Sequence, residues 1–252
     1  MIRPVLEIAA NSLGSALAAQ EGGADRIELC ADLGNGGTTP SYGTLAITRD
    51  RLRIPLYALI RPRTGDFCYG TDEVDVMLRD IGMCAKLGCD GVVIGALDSH
   101  GDVDETVCRE LIVAANPLGV TFHRAFDVAR DQFRALETII ELGCERVLTS
   151  GGEANASAGA EHIAGFVKQA GARLNMMAGA GVDAGNILDV AILSNAREFH
   201  SSAKAVRRSV SHHRNDHLPG LQADWWQTDA VIVRAMVEAL SRRARGGALA
   251  LD

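Results

Sequence analysis

The sequence has no apolar run of the roughly 18 uninterrupted residues that a membrane span needs, and its N-terminus lacks a secretory signal pattern. It also has no excess of positive charge, because 25 lysines and arginines stand against 32 aspartates and glutamates, for a formal charge of −7. Binding to nucleic-acid phosphates requires a positive surface. These absences exclude a membrane span, argue against a nucleic-acid partner and predict a cytoplasmic protein.

The sequence also lacks any Cys-x-x-Cys pair, which is the most specific cysteine signal of a metal site. Without a signal peptide, the six cysteines are expected to be reduced. Cys30 and Cys68 are each predicted to follow a strand, in a loop where a thiolate would bind Cu(I). The others are interpreted as small apolar residues of helices and turns: Cys84, Cys89, Cys108 and Cys144.

Aromatic residues are few, at 4% of the 252 residues, whereas 47% are hydrophobic, so we expect an aliphatic core. One phrase then recurs in segments 21–29, 86–94 and 141–149. Each copy has the last turn of a helix, a glycine for a left-handed C-cap, an acidic turn residue and a short strand. The phrase predicts a repeated junction between a helix and the next strand.

Hydrophobic periodicity predicts eight strands, with amphipathic helices between most of them. The predicted strands are 6–8, 27–29, 56–60, 92–94, 120–122, 147–148, 175–178 and 198–200. This alternation predicts an α/β fold, a TIM-type (β/α)₈ barrel, in a single domain of residues 1–252. The alternative is an open doubly wound sheet, but no Gly-x-Gly-x-x-Gly motif follows the first strand.

The C-terminal part of the chain departs from this alternation. Residues 204–223 form a long polar segment, which predicts a functional or disordered loop. Residues 224–240, which begin with Asp224, Trp225 and Trp226, are predicted to form the closing helix. A flexible tail is expected from about residue 243 to residue 252.

Ionisable residues lie at the predicted strand ends, where barrels of this kind build their active sites. Glu7 and Glu28 lie on strands one and two, Arg61 follows strand three, and His123 and Arg124 follow strand five. Because a buried charge needs compensation, we expect these side chains to neutralise one another around a site. For any single residue, the alternative is a structural ion pair, such as Glu7 with Arg61.

Glycine-rich turns follow strands six and seven. Such turns bind phosphate through backbone N–H groups in many barrels, or they serve only to reverse the chain, and the sequence leaves both open. The further residues predicted to bind substrate at this end of the barrel are Asp127, Ser150, Gly179, Gly181, His200 and Ser201.

Several longer phrases resemble the CutC family, over about residues 4–240. They are GADRIELC at 23–30, GGTTPS at 36–41, IRPR at 60–63, GDFCY at 65–69, TFHRAFD at 121–127, VLTSG at 147–151 and EFH at 198–200. The resemblance implies a barrel, a cytoplasmic location, a homodimer or larger homo-oligomer, and an association with copper homeostasis.

The resemblance also implies that Cys30 is a Cu(I) ligand. The family's second candidate thiol follows strand one, where this chain has Ala9, so Cys68 is the substitute that we can name. In the turn after strand seven, the family's Pro and Ser are replaced by Ala178 and Ala180.

Two functional hypotheses follow. The first is a copper-binding protein that uses Cys30, with Cys68, to hold Cu(I). The second is an enzyme that acts on a small anionic, phosphorylated or sugar-like substrate. In the second hypothesis Arg61 and Arg124 clamp the anion, Glu7 or Glu28 is the base, and His123 is the partner acid.

Overall fold

Eight parallel strands close into a barrel in the computed structural model, which describes residues 3–246 and the side chains as far as Arg242. Strand β1 pairs with both β2 and β8, so the ring has no open edge. The strands are β1 Val5–Ala10, β2 Arg26–Leu29, β3 Leu56–Leu59, β4 Gly91–Ile94, β5 Gly119–Phe122, β6 Arg146–Thr149, β7 Asn175–Ala178 and β8 Glu198–Ser201. The TIM-barrel prediction is confirmed, and the doubly wound alternative is excluded.

Eight α-helices surround the barrel among the described residues. They are α1 Leu13–Gly22, α2 Tyr42–Arg51, α3 Thr71–Leu87, α4 Glu105–Ala115, α5 Gln132–Leu142, α6 Ala160–Ala170, α7 Ile187–Ser194 and α8 Ala230–Gly246. Short 3₁₀ helices follow β2 and β5, at Leu33–Asn35 and Arg124–Val128. No helix within residues 3–246 is long and apolar enough to cross a membrane.

The repeated phrase forms the junctions that it predicts. Helices α1, α3 and α5 end at Gly23, Gly88 and Gly143, with φ of 91°, 73° and 87°. At such a cap the next N–H turns back to the helix, as Cys89 N–H does to the Cys84 carbonyl at 3.0 Å. The cap therefore aims the chain from each helix into the next strand.

The strands are apolar on the face toward the helices, whereas the face toward the barrel axis carries both ionisable and apolar side chains. On β1, Leu6 and Ile8 are fully buried in the main core under the helices, whereas Glu7, between them, points inward. A smaller apolar cluster inside the barrel contains Cys30 and Tyr57. This alternation places every second strand residue in the barrel interior, where the site is built.

The segment after β8 differs from the prediction. Lys204–Arg207 (β9) pairs antiparallel with Trp225–Thr228 (β10), so the closing helix begins at Ala230 and not at residue 224. The Lys204 ammonium lies 5.3 Å from the centre of the Trp226 ring, and cross-strand pairing of this kind stabilises a hairpin. Helix α8 runs to Gly246, which includes the start of the predicted tail, and residues 247–252 lie outside the described part.

Candidate active site

A cavity of about 520 Å³ opens at the carboxyl ends of the strands. Nine of the residues predicted for the site line it. Six of these nine predicted residues have acidic or basic side chains: Glu28, Arg61, His123, Arg124, Asp127 and His200. The other three predicted residues in the lining are Cys30, Gly181 and Ser201. Four predicted residues, Glu7, Cys68, Ser150 and Gly179, are not part of this lining. Lys204, from the start of β9, also contributes to the lining although no sequence pattern marked it for the site.

Glu7 belongs to a buried set of ion pairs inside the barrel, which we call the inner network: Glu7, Arg26, Arg146 and Glu198. Arg26 donates through Nε to Glu7 and through Nη2 to Glu198 Oε2 at 2.6 Å. Arg146 Nε lies 3.2 Å from the same Glu198 oxygen. Each of the four residues has at most 7% of its surface exposed, so solvent screens these pairs little.

The inner network keeps Glu7 ionised. Burial opposes the charge, but Arg26 and a hydrogen bond from His200 outweigh it and lower the pKa of Glu7 to about 2. A carboxylate with this pKa and these partners does not accept a proton at neutral pH. Glu7 was predicted as a candidate base, but both of its carboxylate oxygens accept hydrogen bonds in the structure, one from Arg26 and one from His200.

His200 connects the inner network to the cavity. Its Nδ1 lies 2.8 Å from Glu7 Oε1 and 3.5 Å from Glu28 Oε2. Burial disfavours its positive charge, yet Glu28 and Glu7 together raise the pKa of His200 above its ordinary value. Because the ionised Glu7 accepts the Nδ1 proton, Nε2 is the nitrogen left to exchange protons with the cavity.

Glu28 has an environment unlike that of Glu7. Its Oε2 is buried and has no hydrogen-bond partner among the residues that the structure describes. His200 Nδ1 lies 3.5 Å from this oxygen, which is farther than Arg26 lies from Glu7. Burial is the largest cause that raises the pKa of Glu28, to about 7, with the charge of Glu7 adding to it and His200 opposing it. The charges of Glu28 and His200 are therefore coupled, because each favours the ionised form of the other.

His123 follows β5 and packs against Phe67, with ring centres 5.0 Å apart. Its Nδ1 accepts the Ala125 N–H at 3.1 Å, so the neutral ring carries its proton on Nε2. Burial, and then the charge of Arg61, lower the pKa of His123 to about 3. Burial thus favours the neutral form of His123 with a donor at Nε2, and its role as the partner acid stays a prediction.

Most hydrogen bonds of the Arg61 guanidinium go to backbone carbonyls of the loops around the cavity. Its guanidinium donates to the carbonyls of Asn35, Gly37 and Gly65 at 3.2, 3.0 and 2.9 Å, and it lies over the Phe67 ring at 4.9 Å. Only Nε, which is buried, has no partner among the described residues. Three backbone carbonyls therefore already accept from the terminal nitrogens of Arg61, so the guanidinium is not the free two-pronged clamp that we expected.

The glycine-rich turn after β6, which was considered as a phosphate site, binds a carboxylate of the protein itself. The buried Asp127 carboxylate accepts hydrogen bonds from Ser150 N–H at 3.0 Å and Gly152 N–H at 3.2 Å. It also accepts from the Thr149 and Ser150 hydroxyls, and it pairs with Arg124 Nε at 2.7 Å. Ser150 and Arg124 therefore already hold an anion, which belongs to the chain itself.

Two of the other predicted binding residues have structural contacts. Ser201 Oγ donates to the Val182 carbonyl at 2.6 Å, so this hydroxyl shapes the loop after β7. A Cβ on Gly179 would lie 2.4 Å from Leu148 Cδ1, so this glycine allows β7 and β6 to pack closely. Gly181, with φ of 69°, is the glycine of this turn that reaches the cavity.

The two cysteines proposed as Cu(I) ligands lie in different surroundings. Cys30 lines the cavity, its Sγ is 3.7 Å from the Ala10 carbonyl, and burial raises the pKa of its thiol. Cys68 lies outside the lining and donates to the Asp98 carbonyl at 3.2 Å. All six cysteines are free.

One group of side chains has the composition of a metal site among the residues with described side chains. The ligand atoms of Glu7, Glu28 and His200 lie within 4.8 Å of one another. However, both oxygens of Glu7 already accept hydrogen bonds, from Arg26 and His200. A cation at this point would have to displace those contacts and would lie beside the Arg26 charge.

The residues that sequence reasoning missed are Arg26, Arg146 and Glu198. A signal for two of them was present, because Arg26 and Arg146 occupy the same position of the repeated phrase. Arg26 also lies two residues before Glu28, and residues two apart on a strand share a face. The inward face of β2 therefore begins with a buried arginine.

Comparisons with known proteins agree with this fold. The model of the CutC family matches residues 4–205. A CutC family protein of Xanthomonas campestris pv. campestris (strain 8004) is 55% identical over 235 residues, which are 93% of this chain and 98% of that protein. One of Bacteroides thetaiotaomicron is 49% identical over 213 residues, 84% of this chain and 86% of that protein.

Solved structures extend the comparison. The crystal structure of a copper homeostasis protein CutC from Streptococcus agalactiae matches with a TM-score of 0.76 and 31% identity, covering 79% of this chain and 98% of that one. Phosphoribosyl anthranilate isomerase from Thermotoga maritima matches with a TM-score of 0.59 and 12% identity, covering 96% of this chain and all of that one. The second likeness shows the barrel fold alone.

Proposed function

This chain belongs to the CutC family, and from that premise we propose that its cavity is the active site of an enzyme that moves a proton on a small, polar carbonyl compound. The observation that carries the proposal is a set of buried polar atoms that have no hydrogen-bond partner within the described part of the chain: Glu28 Oε2, Arg61 Nε and His123 Nε2. All three residues line the cavity. A buried polar group without a partner costs about 1–3 kcal/mol, and a ligand that bonds to it removes that cost.

The chemical roles follow from the protonation states. Glu28, with a pKa of about 7, is available as a carboxylate that takes a proton from the carbon next to a carbonyl group. The electron pair of that C–H bond moves to the carbonyl oxygen, where the N–H groups of His123 and Arg61 stabilise the negative charge. Glu7 holds the Nδ1 proton of His200, which leaves His200 Nε2 to exchange a proton with the substrate in the cavity.

A solvent-exchange experiment tests this function on a range of candidate substrates at once. The protein is incubated in D₂O with a panel of hydroxyaldehydes, hydroxyketones and keto acids, and deuterium at the α-carbon is followed by NMR. We expect the wild-type protein to introduce deuterium at the α-carbon of at least one compound of the panel. In Glu28→Gln the rate of this exchange should fall by about 100-fold or more.

The matched control is Glu110→Gln, which changes an exposed glutamate on α4 and should label at the wild-type rate. Absence of labelling across the whole panel would contradict proton transfer next to a carbonyl group. Equal labelling by Glu28→Gln and the wild type would remove Glu28 from the mechanism.

A second candidate is Cu(I) binding, with the ion as cargo. It is favoured by the position of Cys30, whose thiol lines the cavity together with two imidazoles that Cu(I) accepts as ligands, those of His123 and His200. It is weakened by the donor set, since the cavity lining supplies one thiol and Cys68 is elsewhere.

An anaerobic competition titration against a Cu(I) chelator tests this candidate on the wild type, Cys30→Ser and Cys68→Ser. Stoichiometric binding that disappears only in Cys30→Ser supports copper as cargo. Wild-type protein that fails to compete with the chelator excludes copper as cargo.

The free thiols also accord with a reducing compartment, and we propose the cytoplasm as the location.

A further inference from the structure

The loop after β6 is built as an anion site, and the anion in it is a side chain. Gly151 and Gly152 follow Ser150 with φ of 77° and 73°, and the turn that they form brings the N–H groups of Ser150 and Gly152 to one point. A Cβ on Gly151 would lie 2.4 Å from the Gly159 carbonyl oxygen, so the turn requires glycine. Such turns hold phosphate in many proteins.

The group at that point is the Asp127 carboxylate, whose side chain is only 5% exposed. Oδ1 accepts from the Thr149 hydroxyl and from the Ser150 and Gly152 N–H groups. Oδ2 accepts from Ser150 N–H and Oγ and from Arg124 Nε. Two backbone amides, the Thr149 hydroxyl and one guanidinium are a donor set of the kind that surrounds a bound phosphate, and the Ser150 hydroxyl also lies 2.6 Å from the Glu153 carbonyl, which competes for its hydrogen.

We propose that Asp127 is a built-in substitute for a substrate phosphate, and that it makes the enzyme select an unphosphorylated substrate on this side of the cavity. A phosphate brought against Asp127 would meet a like charge and find the loop donors already used. The statement about substrate choice rests on the proposed function, but the statement about the filled anion site does not. Asp127 is a specificity-determining residue in this proposal.

Removal of the carboxylate should open the site to an external anion. Isothermal titration with inorganic phosphate, at constant ionic strength, compares the wild type with Asp127→Ala and with Asp50→Ala, which changes an exposed aspartate near the end of α2. We expect Asp127→Ala to bind phosphate at least about tenfold more tightly than the other two proteins. Formate, which replaces the lost carboxylate, should compete with phosphate in that variant.

Equal phosphate affinity in all three proteins would overturn the proposal, as would phosphate binding to the wild type that shifts the amide signals of Gly151 and Gly152. If Asp127→Ala is unfolded in chloride, formate or phosphate should restore its near-UV circular dichroism, and failure of both would also overturn it. The two proposals can fail separately. If no carbonyl compound gains deuterium, the proposed function is contradicted, but phosphate binding by Asp127→Ala and not by the other two proteins would still support the filled anion site.

Discussion

Arg26 is the residue whose removal should cost the barrel most stability among its charged interior groups. Its side chain is 8% exposed, and its guanidinium contacts two buried carboxylates, those of Glu7 and Glu198. In Arg26→Met the side chain keeps its apolar stem, but both carboxylates lose their shared cation. Removing one partner of a buried ion pair costs about 3–5 kcal/mol.

Part of this cost is relieved by the contacts that remain. Glu198 keeps Arg146 at 3.2 Å, and Glu7 keeps His200 at 2.8 Å. We therefore expect a loss of about 3–4 kcal/mol in the free energy of unfolding, and a fall in Tm of roughly 6–16 °C for a chain of this length. Urea denaturation at neutral pH measures the first quantity, and calorimetry measures the second.

The pH dependence of this loss has a defined sign. The pKa of Glu7 is about 2 in the folded protein and 4.5 in the unfolded chain, so ionised Glu7 stabilises the fold above pH 4.5. That contribution is lost as the pH falls from 4.5 toward 2. Without Arg26 the pKa of Glu7 rises, so the difference between wild type and Arg26→Met should be full at neutral pH and shrink below pH 4.5.

The matched control is Arg79→Met. Arg79 pairs with Asp75 on the surface of α3, with side chains 76% and 60% exposed, and such pairs contribute at most about 1 kcal/mol. The reasoning is refuted if Arg26→Met is destabilised no more than Arg79→Met. It is also refuted if the loss of stability grows as the pH falls.

Three further predictions concern the cavity, the barrel interior and the assembly. Glu28→Gln should leave stability unchanged near pH 4.5 and raise it by about 3 kcal/mol at pH 7 and above, because burial makes ionised Glu28 costly in the fold. A difference in urea midpoints that does not change with pH would contradict this. Gly91→Ala should destabilise the protein by about 1–3 kcal/mol, because the added Cβ would lie 2.0 Å from the Tyr57 ring. Gly82→Ala in α3 places its Cβ in open space and should stabilise the protein by about 0.5–1 kcal/mol. Changes in Tm of the same sign for both variants would refute this reasoning. The homo-oligomer that the family resemblance implies remains a prediction: sedimentation equilibrium should return a multiple of 26.7 kDa, and a monomer at all concentrations would exclude it.

The barrel was predictable because its signals are local. Each copy of the repeated phrase carries its own helix end, glycine cap and strand, and the caps at Gly23, Gly88 and Gly143 have the φ values that this interpretation requires. The ring of polar strand ends was predictable for a similar reason, since parallel strands in a closed barrel all end on the same side.

The roles of individual residues were not predictable in the same way, because they depend on partners far along the chain. Glu7 and Glu28 look alike in the sequence, but one faces Arg26 and the other has an oxygen without a partner. Asp127 fills the loop of Ser150, 23 positions away, and no local pattern marks that contact. The β9–β10 hairpin was missed because its two strands are separated by a polar segment without periodicity.

The central claim is that Glu7 and Glu28 prepare His200 as an acid–base group near neutral pH. The most direct test of this claim is to measure the protonation of the His200 ring as a function of pH. Nitrogen-15 NMR of the seven labelled histidines, with His200 assigned through His200→Asn, follows both ring nitrogens over about pH 5–9. We predict that Nδ1 stays protonated throughout and that Nε2 titrates with a pKa above 6.5, which falls in Glu28→Gln. Protonation of the neutral ring on Nε2, or a pKa below 6.5 that Glu28→Gln leaves unchanged, would contradict the claim.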